Sequence, residues 1–122
     1  MDKKEIAISF LQLAASGNVR EAYEKYVHPD FFHHNPYFAG DRESLLRGME
    51  QSAADLPDKE FRVLRALEDG GLVAVHGRVR LKPDLPDIAL MHIFRFEDKL
   101  IIEEWEVAQQ VPEESPNRNG VF

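Results

Sequence analysis

The sequence predicts an α+β fold in which a curved antiparallel sheet forms a cone over N-terminal helices. Two observations carry this prediction. Apolar residues recur at helical spacing as far as Pro57 and alternate at strand spacing from Glu60 onward. Helices that precede a run of hairpin-linked strands pack on one face of a single sheet. A sheet curved around them leaves one open end, which suits a small-molecule pocket.

Composition limits the kind of partner. The 122 residues fit one domain, taken as residues 1–122, and 22 acidic against 15 basic residues give a formal net charge of −7. This charge argues against nucleic acid or an anionic membrane as the main partner, because no basic patch offsets the repulsion. The absence of cysteine excludes disulfides, thiolate metal sites and a cysteine nucleophile. The N-terminal sequence MDKKEIAISF lacks the apolar core of a signal peptide, so we expect a cytoplasmic protein.

Three helices are expected in the first half. The first spans Asp2 to Ser16, with an apolar side at helical spacing. The second begins at Asn18 as N-cap, and Glu21 occupies the position of a capping-box acid. The third begins at Asp41 and is stopped by Pro57.

The segment between the second and third helices is expected to be a loop. Residues 28–38 read HPDFFHHNPYF, and Pro29 and Pro36 prevent a continuous helix. The segment is unusually aromatic for a loop. We therefore expect it to plug one end of the core.

Four antiparallel strands should follow. The first covers residues 60–67 and turns at Asp69-Gly70-Gly71 into a longer strand over residues 72–82. A hairpin over residues 88–109 then turns at Glu97-Asp98-Lys99. After residue 110 the chain is polar and broken by proline, which predicts a C-terminal arm over residues 110–122.

Alternation along the strands predicts which residues share a face. One set is apolar and is expected to form an outer surface through which two copies pair as a homodimer: Val73, Val75, Val79, Leu81, Ile93, Trp105 and Val107. The opposite set is expected to line the cone: His76, Arg78, His92, Glu104 and Glu106. The arm ends on the apolar pair Val121-Phe122, so we expect it to cover part of the pocket or of a partner subunit.

The last hairpin is the place to look for chemistry, because it is apolar and yet carries three ionisable side chains. A partly desolvated Glu106 would have a raised pKa and act as a general base, and Glu104 on the same face would raise that pKa further. His92 would donate to an enolate oxygen or pair with Glu106. The alternatives are that both acids are solvated edge residues and that His92 is structural.

Other candidates belong to the pocket wall. His76, Trp105 and Phe94 lie on the strands as substrate-binding candidates, although His76 could face solvent and the two aromatic residues could be core. His34 and Asn35 lie in the aromatic segment, where Asn35 could equally form an Asx turn that holds Pro36. The scattered histidines contain no local ligand pair, so no metal and no cofactor are expected.

Three segments resemble a known family. They are HPDFFHHNP with Gly40 shortly after it, the hairpin IFRFEDKLIIEEWEVAQQVP, and the ending NRNGVF. Together with the element order, they resemble the SnoaL-like branch of the nuclear transport factor 2-like cone, which also includes ketosteroid isomerase, scytalone dehydratase and the polyketide cyclases.

The resemblance implies roles for two residues. In the polyketide cyclases, a carboxylate on the last strand is the general base and a histidine on the preceding strand binds the substrate or stabilises the enolate. Glu106 and His92 match these positions, although the base is usually Asp. Relatives in the bacterial group of SnoaL-like aldol-condensation-type proteins often have Asp at position 92 and His at 104, and here the two kinds of side chain are exchanged. The resemblance also implies pairing sheet to sheet.

The expected function is therefore that of a cofactor-free cyclase or isomerase. It would act on a small apolar carbonyl compound by removing a proton next to the carbonyl. The alternative is a binding module of the same fold that does not react with its ligand.

Overall fold

A computed structural model describes all residues from Met1 to Phe122. It contains three helices, α1 (Lys3–Ala15), α2 (Val19–Tyr26) and α3 (Arg42–Asp55), and five strands, β1 (Val27–His33), β2 (Glu60–Asp69), β3 (Leu72–Arg80), β4 (Ile88–Glu97) and β5 (Leu100–Gln110). The α+β class, the three helices and the strands from β2 to β5 are confirmed. None of the helices is long and apolar enough to cross a membrane.

The helix ends follow local sequence signals. Asp2 caps α1, and its side chain and that of Glu5 form a reciprocal capping box. The capping box predicted for α2 is wrong: the Asn18 side chain caps no backbone N–H and instead donates to Ser16 Oγ. Asp41 caps α3 by accepting from the backbone of Ser44, as expected for the start of this helix.

The sheet has the order β1-β5-β4-β3-β2 and is not closed into a barrel. The pairs from β2 to β5 are antiparallel, whereas β1 runs parallel to β5. In antiparallel pairs, residues directly opposite each other point to the same face. His92 lies opposite both Glu106 on β5 and Val75 on β3, so all three point inward.

Strand β1 corrects the prediction of a loop over residues 28–38 as far as His33, whereas residues 34–38 belong to no helix or strand, as predicted. Residues Val27–His33 form an edge strand, and its register on β5 shifts between Val27 and Phe32. Pro29 lies within this irregular part. Proline is tolerated on an edge strand, where its missing N–H need not complete a ladder. The strand therefore exists although its sequence contains a strand-breaking residue.

The core lies between the inner face of the sheet and the helices. Seventeen buried residues form one apolar cluster, and α1 packs across β2 and β3. The ring of Phe10 on α1 contacts Tyr23 of α2 and Phe94 of β4 edge to face, at centroid distances of 5.4 and 5.8 Å. Such contacts fix the helices over the strands and shape the cone above the last hairpin.

The two faces of β3 are the reverse of those predicted. Val73, Val75 and Val79 are buried under the helices, and His76 and Arg78 lie on the outer face of the sheet. Alternation separates the residues of a strand into two sets, but it does not tell which set meets the helices. Here the apolar set meets them because its burial provides most of the stabilisation.

The C-terminal arm docks on the outer face, on the opposite side of the sheet from the cone interior. The guanidinium carbon of Arg78 lies 4.6 Å above the centre of the Phe122 ring, and the His76 ring lies 6.4 Å from it. The arm therefore covers part of the outer sheet surface, and the expectation that it covers the pocket is wrong, because no residue of the arm lines the cavities of the cone. Contact with a partner subunit stays a prediction.

Candidate active site inside the cone

Two adjoining cavities occupy the interior of the cone, with volumes of about 240 and 250 Å³. Both are lined by Leu11, Met49, Lys59, His92 and Glu106. The first extends between apolar residues near the ends of β3, β4 and β5: Leu81, Ile88, Leu90 and Ala108. The second extends past Asn35 and Glu104 to Phe38 and is more polar. Together they offer an apolar half and a polar half that meet at His92 and Glu106.

His92 is the centre of the polar half. Its Nε2 lies 3.1 Å from Glu106 Oε2 and 3.5 Å from Glu104 Oε1. The ring stacks on Phe94, at a centroid distance of 5.6 Å and an interplanar angle of 7°, and Phe61 packs edge-on against it. These aromatic contacts hold the imidazole so that Nε2 faces the two carboxylates.

Glu106 and Glu104 differ in exposure. The Glu106 side chain is 23% exposed and lines both cavities, whereas the Glu104 side chain is 7% exposed and lines only the polar one. The second carboxylate oxygen of Glu106 accepts a hydrogen bond from Asn35 Nδ2. Glu106 is thus the carboxylate that a ligand in either cavity can reach.

Asn35 is held in place by its own segment. Its Oδ1 accepts from the backbone N–H of Tyr37 at 3.0 Å, which forms the Asx turn considered from the sequence. Its backbone N–H donates to His33 Nδ1 at 3.0 Å, and the backbone of His33 bonds to Gly40. Because Oδ1 is taken by Tyr37, the amide nitrogen is the group turned toward Glu106. The Asx turn and the contact with the site therefore exist together.

The two carboxylates have opposite pKa shifts. Burial raises the pKa of Glu104 to about 7, and the charge of Glu106 adds to the rise. Burial alone would also raise the pKa of Glu106, but the hydrogen bonds from His92 and Asn35 and the charge of His92 lower it below its ordinary value. The expectation of a raised pKa at Glu106 is wrong, because that expectation lacked these donors. Glu106 is ionised at neutral pH, and Glu104 is the carboxyl that titrates there.

The same carboxylates act on His92. Burial would lower the pKa of the imidazole, yet the hydrogen bond with Glu106 and the charges of both carboxylates raise it overall. Nδ1 of His92 is buried and has no hydrogen-bond partner in the protein. Nε2 of His92 therefore carries a proton in both the neutral and the charged imidazole, because this nitrogen faces Glu106 at 3.1 Å. The three side chains form one coupled proton-binding cluster.

The cluster also contains the donor atoms of a possible cation site. One ligand atom from each of His92, Glu104 and Glu106 lies within 4.8 Å of the others. A metal-bound histidine usually donates its other ring N–H to an acceptor, and Nδ1 of His92 meets none. Hydrogen bonding within the cluster accounts for its geometry better than metal binding, and the expectation of no metal stays a prediction.

Several predicted residues lie outside this site. His34 and Trp105 are on the outer face, where their rings stack at 5.1 Å and His34 Nε2 lies 2.7 Å from Glu103. His76 lies on the same outer face beside Phe122. Phe94 is fully buried in the core and supports His92 from behind. Of the substrate-binding candidates, the cavities bring together only Asn35 and Glu104 with His92 and Glu106.

Sequence reasoning missed two residues near the cluster. His33, rather than His34, points inward, because β1 is a strand and neighbouring residues alternate. Lys59 lines both cavities from the short connection between α3 and β2. No sequence pattern marks Lys59, since it follows Pro57 in a segment that reads only as a turn.

A larger cavity of about 450 Å³ lies at the outer edge of β2 and β3. It is lined by arginines, but Asp87 already pairs with Arg78 at 2.6 Å and with Arg80 at 3.2 Å. The positive charges of Arg78 and Arg80 are therefore already paired with a carboxylate of the protein. The cone interior is the stronger candidate for a small-molecule site.

Comparison with protein families identifies one match over most of the chain. The family model for the SnoaL-like domain matches residues 7–104. A search of curated proteins found no match.

Solved structures share the fold. An NTF2-like protein from Cytophaga hutchinsonii has a TM-score of 0.72 at 15% identity, over 89% of this chain and 91% of that one. IdmH, a proposed polyketide cyclase from Streptomyces antibioticus, has a TM-score of 0.72 at 19% identity, over 89% of this chain and 93% of that one. AclR, a proposed hydroxylase from Streptomyces galilaeus, has a TM-score of 0.74 at 17% identity, over 88% of each chain. These similarities confirm the nuclear transport factor 2-like cone.

Proposed function

This chain belongs to the SnoaL-like domain family, and from that premise we propose that it is a cofactor-free enzyme of the polyketide-cyclase or isomerase kind. It removes a proton from the carbon next to a carbonyl group of a small apolar compound. The resulting enolate then attacks a second carbonyl in an aldol-type ring closure, or it is protonated again at another carbon. The observation that carries the proposal is an ionised, partly exposed Glu106 that lines both cavities and contacts two donors.

In this proposal, Glu106 is the general base. Its carboxylate is the reachable one of the two, and its lowered pKa keeps it ionised throughout the neutral range. The hydrogen bonds that lower the pKa also weaken it as a base, so the gain in rate comes mainly from placement. Glu104 and His92 take up and return protons next to Glu106, because the pKa of Glu104 is about 7.

The enolate oxygen needs hydrogen-bond donors as charge develops. Asn35 gives one amide N–H to Glu106 and has a second, and it lines the polar cavity beside His92. His92 Nε2–H is the other donor, once Glu106 has turned toward the substrate. This division between one carboxylate base and two donors fits a site that needs no metal and no cofactor.

The proposal is tested by proton exchange at an apolar ketone. The protein should accelerate the exchange of the α-protons of 2-tetralone for deuterium in D₂O, followed by ¹H NMR. The substitution Glu106→Gln keeps the shape and removes the base, so the acceleration should fall by ~10²-fold or more. Glu68→Gln, which removes an exposed carboxylate at the end of β2, is the matched control.

Two results would count against this function. Equal exchange by the wild type and the folded Glu106→Gln variant would remove Glu106 from the mechanism. Binding of apolar ketones without any accelerated exchange would favour the second candidate, a binding module in which Glu106 only orients the ligand. The low pKa of Glu106 is the observation that favours that candidate, since a strongly hydrogen-bonded carboxylate is a weak base. The cytoplasmic location stays a prediction.

A further inference from the structure

Lys59 is the one lysine or arginine among the residues that line the two cavities of the cone. It lies in the connection between α3 and β2, and its Nζ donates a hydrogen bond to Ser52 Oγ at 2.7 Å. An ammonium group has three N–H donors, so two remain for another acceptor. A ligand in either cavity can reach this group.

The amine has no counter-ion in the protein. No carboxylate of the chain forms an ion pair with it, and no neighbouring charge acts on its titration. Burial lowers the pKa of Lys59. Partly buried charges are normally paired, because desolvation without a partner is costly. An acceptor with a negative charge would satisfy this one.

The acids of the site do not serve this purpose. Glu104 and Glu106 are engaged with His92 and Asn35, and neither takes part in an ion pair with Lys59. The cavities thus have a negative cluster on β5 and an unpaired positive group at the connection before β2. The apolar side chains of Leu11 and Met49 also line both cavities.

We propose that Lys59 recognises an acidic group on the ligand, so that the substrate class is an apolar carbonyl compound with one carboxylate. The carboxylate pairs with Nζ of Lys59, and the apolar body lies against Leu81, Ile88 and Leu90. The carbon next to the carbonyl then lies at Glu106, away from the ligand's own charge. This inference deepens the proposed function and rests on it only in taking the cone as the ligand site.

The test compares 2-naphthoate with 2-naphthamide, which have nearly the same size and differ in charge. Isothermal titration should show that the wild type binds 2-naphthoate about tenfold more tightly, as expected for a charge-assisted hydrogen bond. Lys59→Met should remove this preference and leave the affinity for 2-naphthamide within about twofold, since the side chain keeps its length. Lys82→Met, which removes an exposed lysine, is the control with the same charge change.

Other outcomes would overturn the inference. One is a Lys59→Met variant that still binds 2-naphthoate more tightly than 2-naphthamide. Another is a variant that loses the same factor of affinity for both compounds. The third is a wild type that binds both compounds equally. No turnover is involved in these titrations. Their result is therefore independent of whether Glu106 is a base, and a failure here is distinct from a failure of Glu106→Gln to reduce proton exchange.

Discussion

Glu104 and Glu106 point to the same side of β5, and yet their surroundings give them different chemistry. Glu106 receives hydrogen bonds from Asn35 and His92, whereas Glu104 is buried beside His92 without such donors. The first is held as a carboxylate and the second holds a proton up to a pH of about 7. The exposed member of the pair is suited to reaction and the buried member to proton storage.

This difference predicts how stability depends on pH. The folded protein keeps the Glu104 proton up to about pH 7, whereas the unfolded chain releases it near the ordinary value of 4.5. The free energy of unfolding should therefore fall as pH rises through this window, by an amount of the order of 3 kcal/mol. His92, whose pKa is also raised, contributes in the same direction at higher pH. The lowered pKa of Glu106 acts oppositely, and only at acidic pH.

The substitution Glu104→Gln removes this ionisation while keeping the shape of the side chain. We expect the variant to lose much less stability than the wild type between about pH 5 and 8, measured by urea denaturation at several pH values. Glu68→Gln should keep the wild-type dependence. Parallel curves for wild type and Glu104→Gln would show that the proton lies elsewhere in the cluster.

At the scale of elements, the sequence predicts features that depend on nearby residues, such as the ends of helices. The ends of α1 and α3 were predictable because Asp2, Asp41 and Pro57 act on their own helix. Strand β1 was not predictable, because it is stabilised by β5 and Pro29 interrupts its pattern. The candidate site shows the same limit. Glu106 and His92 follow from the hairpin and the family resemblance, while the inward position of His33 requires that β1 be a strand.

Gly77 on β3 leaves room for the ring of Phe61, which lines the apolar cavity. A Cβ at this position would lie 2.7 Å from Phe61 Cζ and 3.3 Å from the Arg62 carbonyl oxygen. Gly77→Ala should therefore displace Phe61, which lines the apolar cavity, and destabilise the protein by about 1–3 kcal/mol. A lower melting temperature would show this. Gly71→Ala is the control, since its Cβ would meet only Phe96 O at 3.7 Å.

At the scale of the whole molecule, the outer face of the sheet still carries exposed apolar side chains. Val107 and Leu67 are each 69% exposed and Ile93 is 37% exposed. With Trp105 they leave an apolar surface of the kind that marks an interface. The valines of β3 do not contribute to it, because they are buried under the helices. Leu81, which was also expected on this face, lines the apolar cavity of the cone instead.

We expect two copies to pair through this face. Sedimentation at micromolar concentration should give a homodimer, and Val107→Glu should shift it toward monomer because the charge would be buried at the interface. Leu85→Glu places the same charge on an exposed loop residue and should leave the dimer intact. A wild type that sediments only as a monomer would contradict the prediction.

The C-terminal arm makes a separate prediction on the same face. Phe122→Ala removes the ring that packs on Arg78 and His76, so the protein should lose about 1 kcal/mol of stability and melt at a lower temperature. Binding of 2-naphthamide should be unchanged, because the arm lies on the far side of the sheet from the cone. Arg118→Ala, in the exposed part of the arm, is the control. An unchanged melting temperature would mean that the arm contributes nothing.

The parallel pairing of β1 with β5 has a consequence for the order of folding. The hydrogen bond between Asn35 and Glu106 joins positions 71 residues apart, whereas the β4–β5 hairpin closes locally. Long-range contacts of this kind form late, because the entropy of a large loop must be lost first. During synthesis the last strand leaves the ribosome after every other element. A nascent chain can therefore form its helices and the strands from β2 to β4 first. Asn35 and Glu106 come together only when β5 docks between β4 and β1, which is the last step.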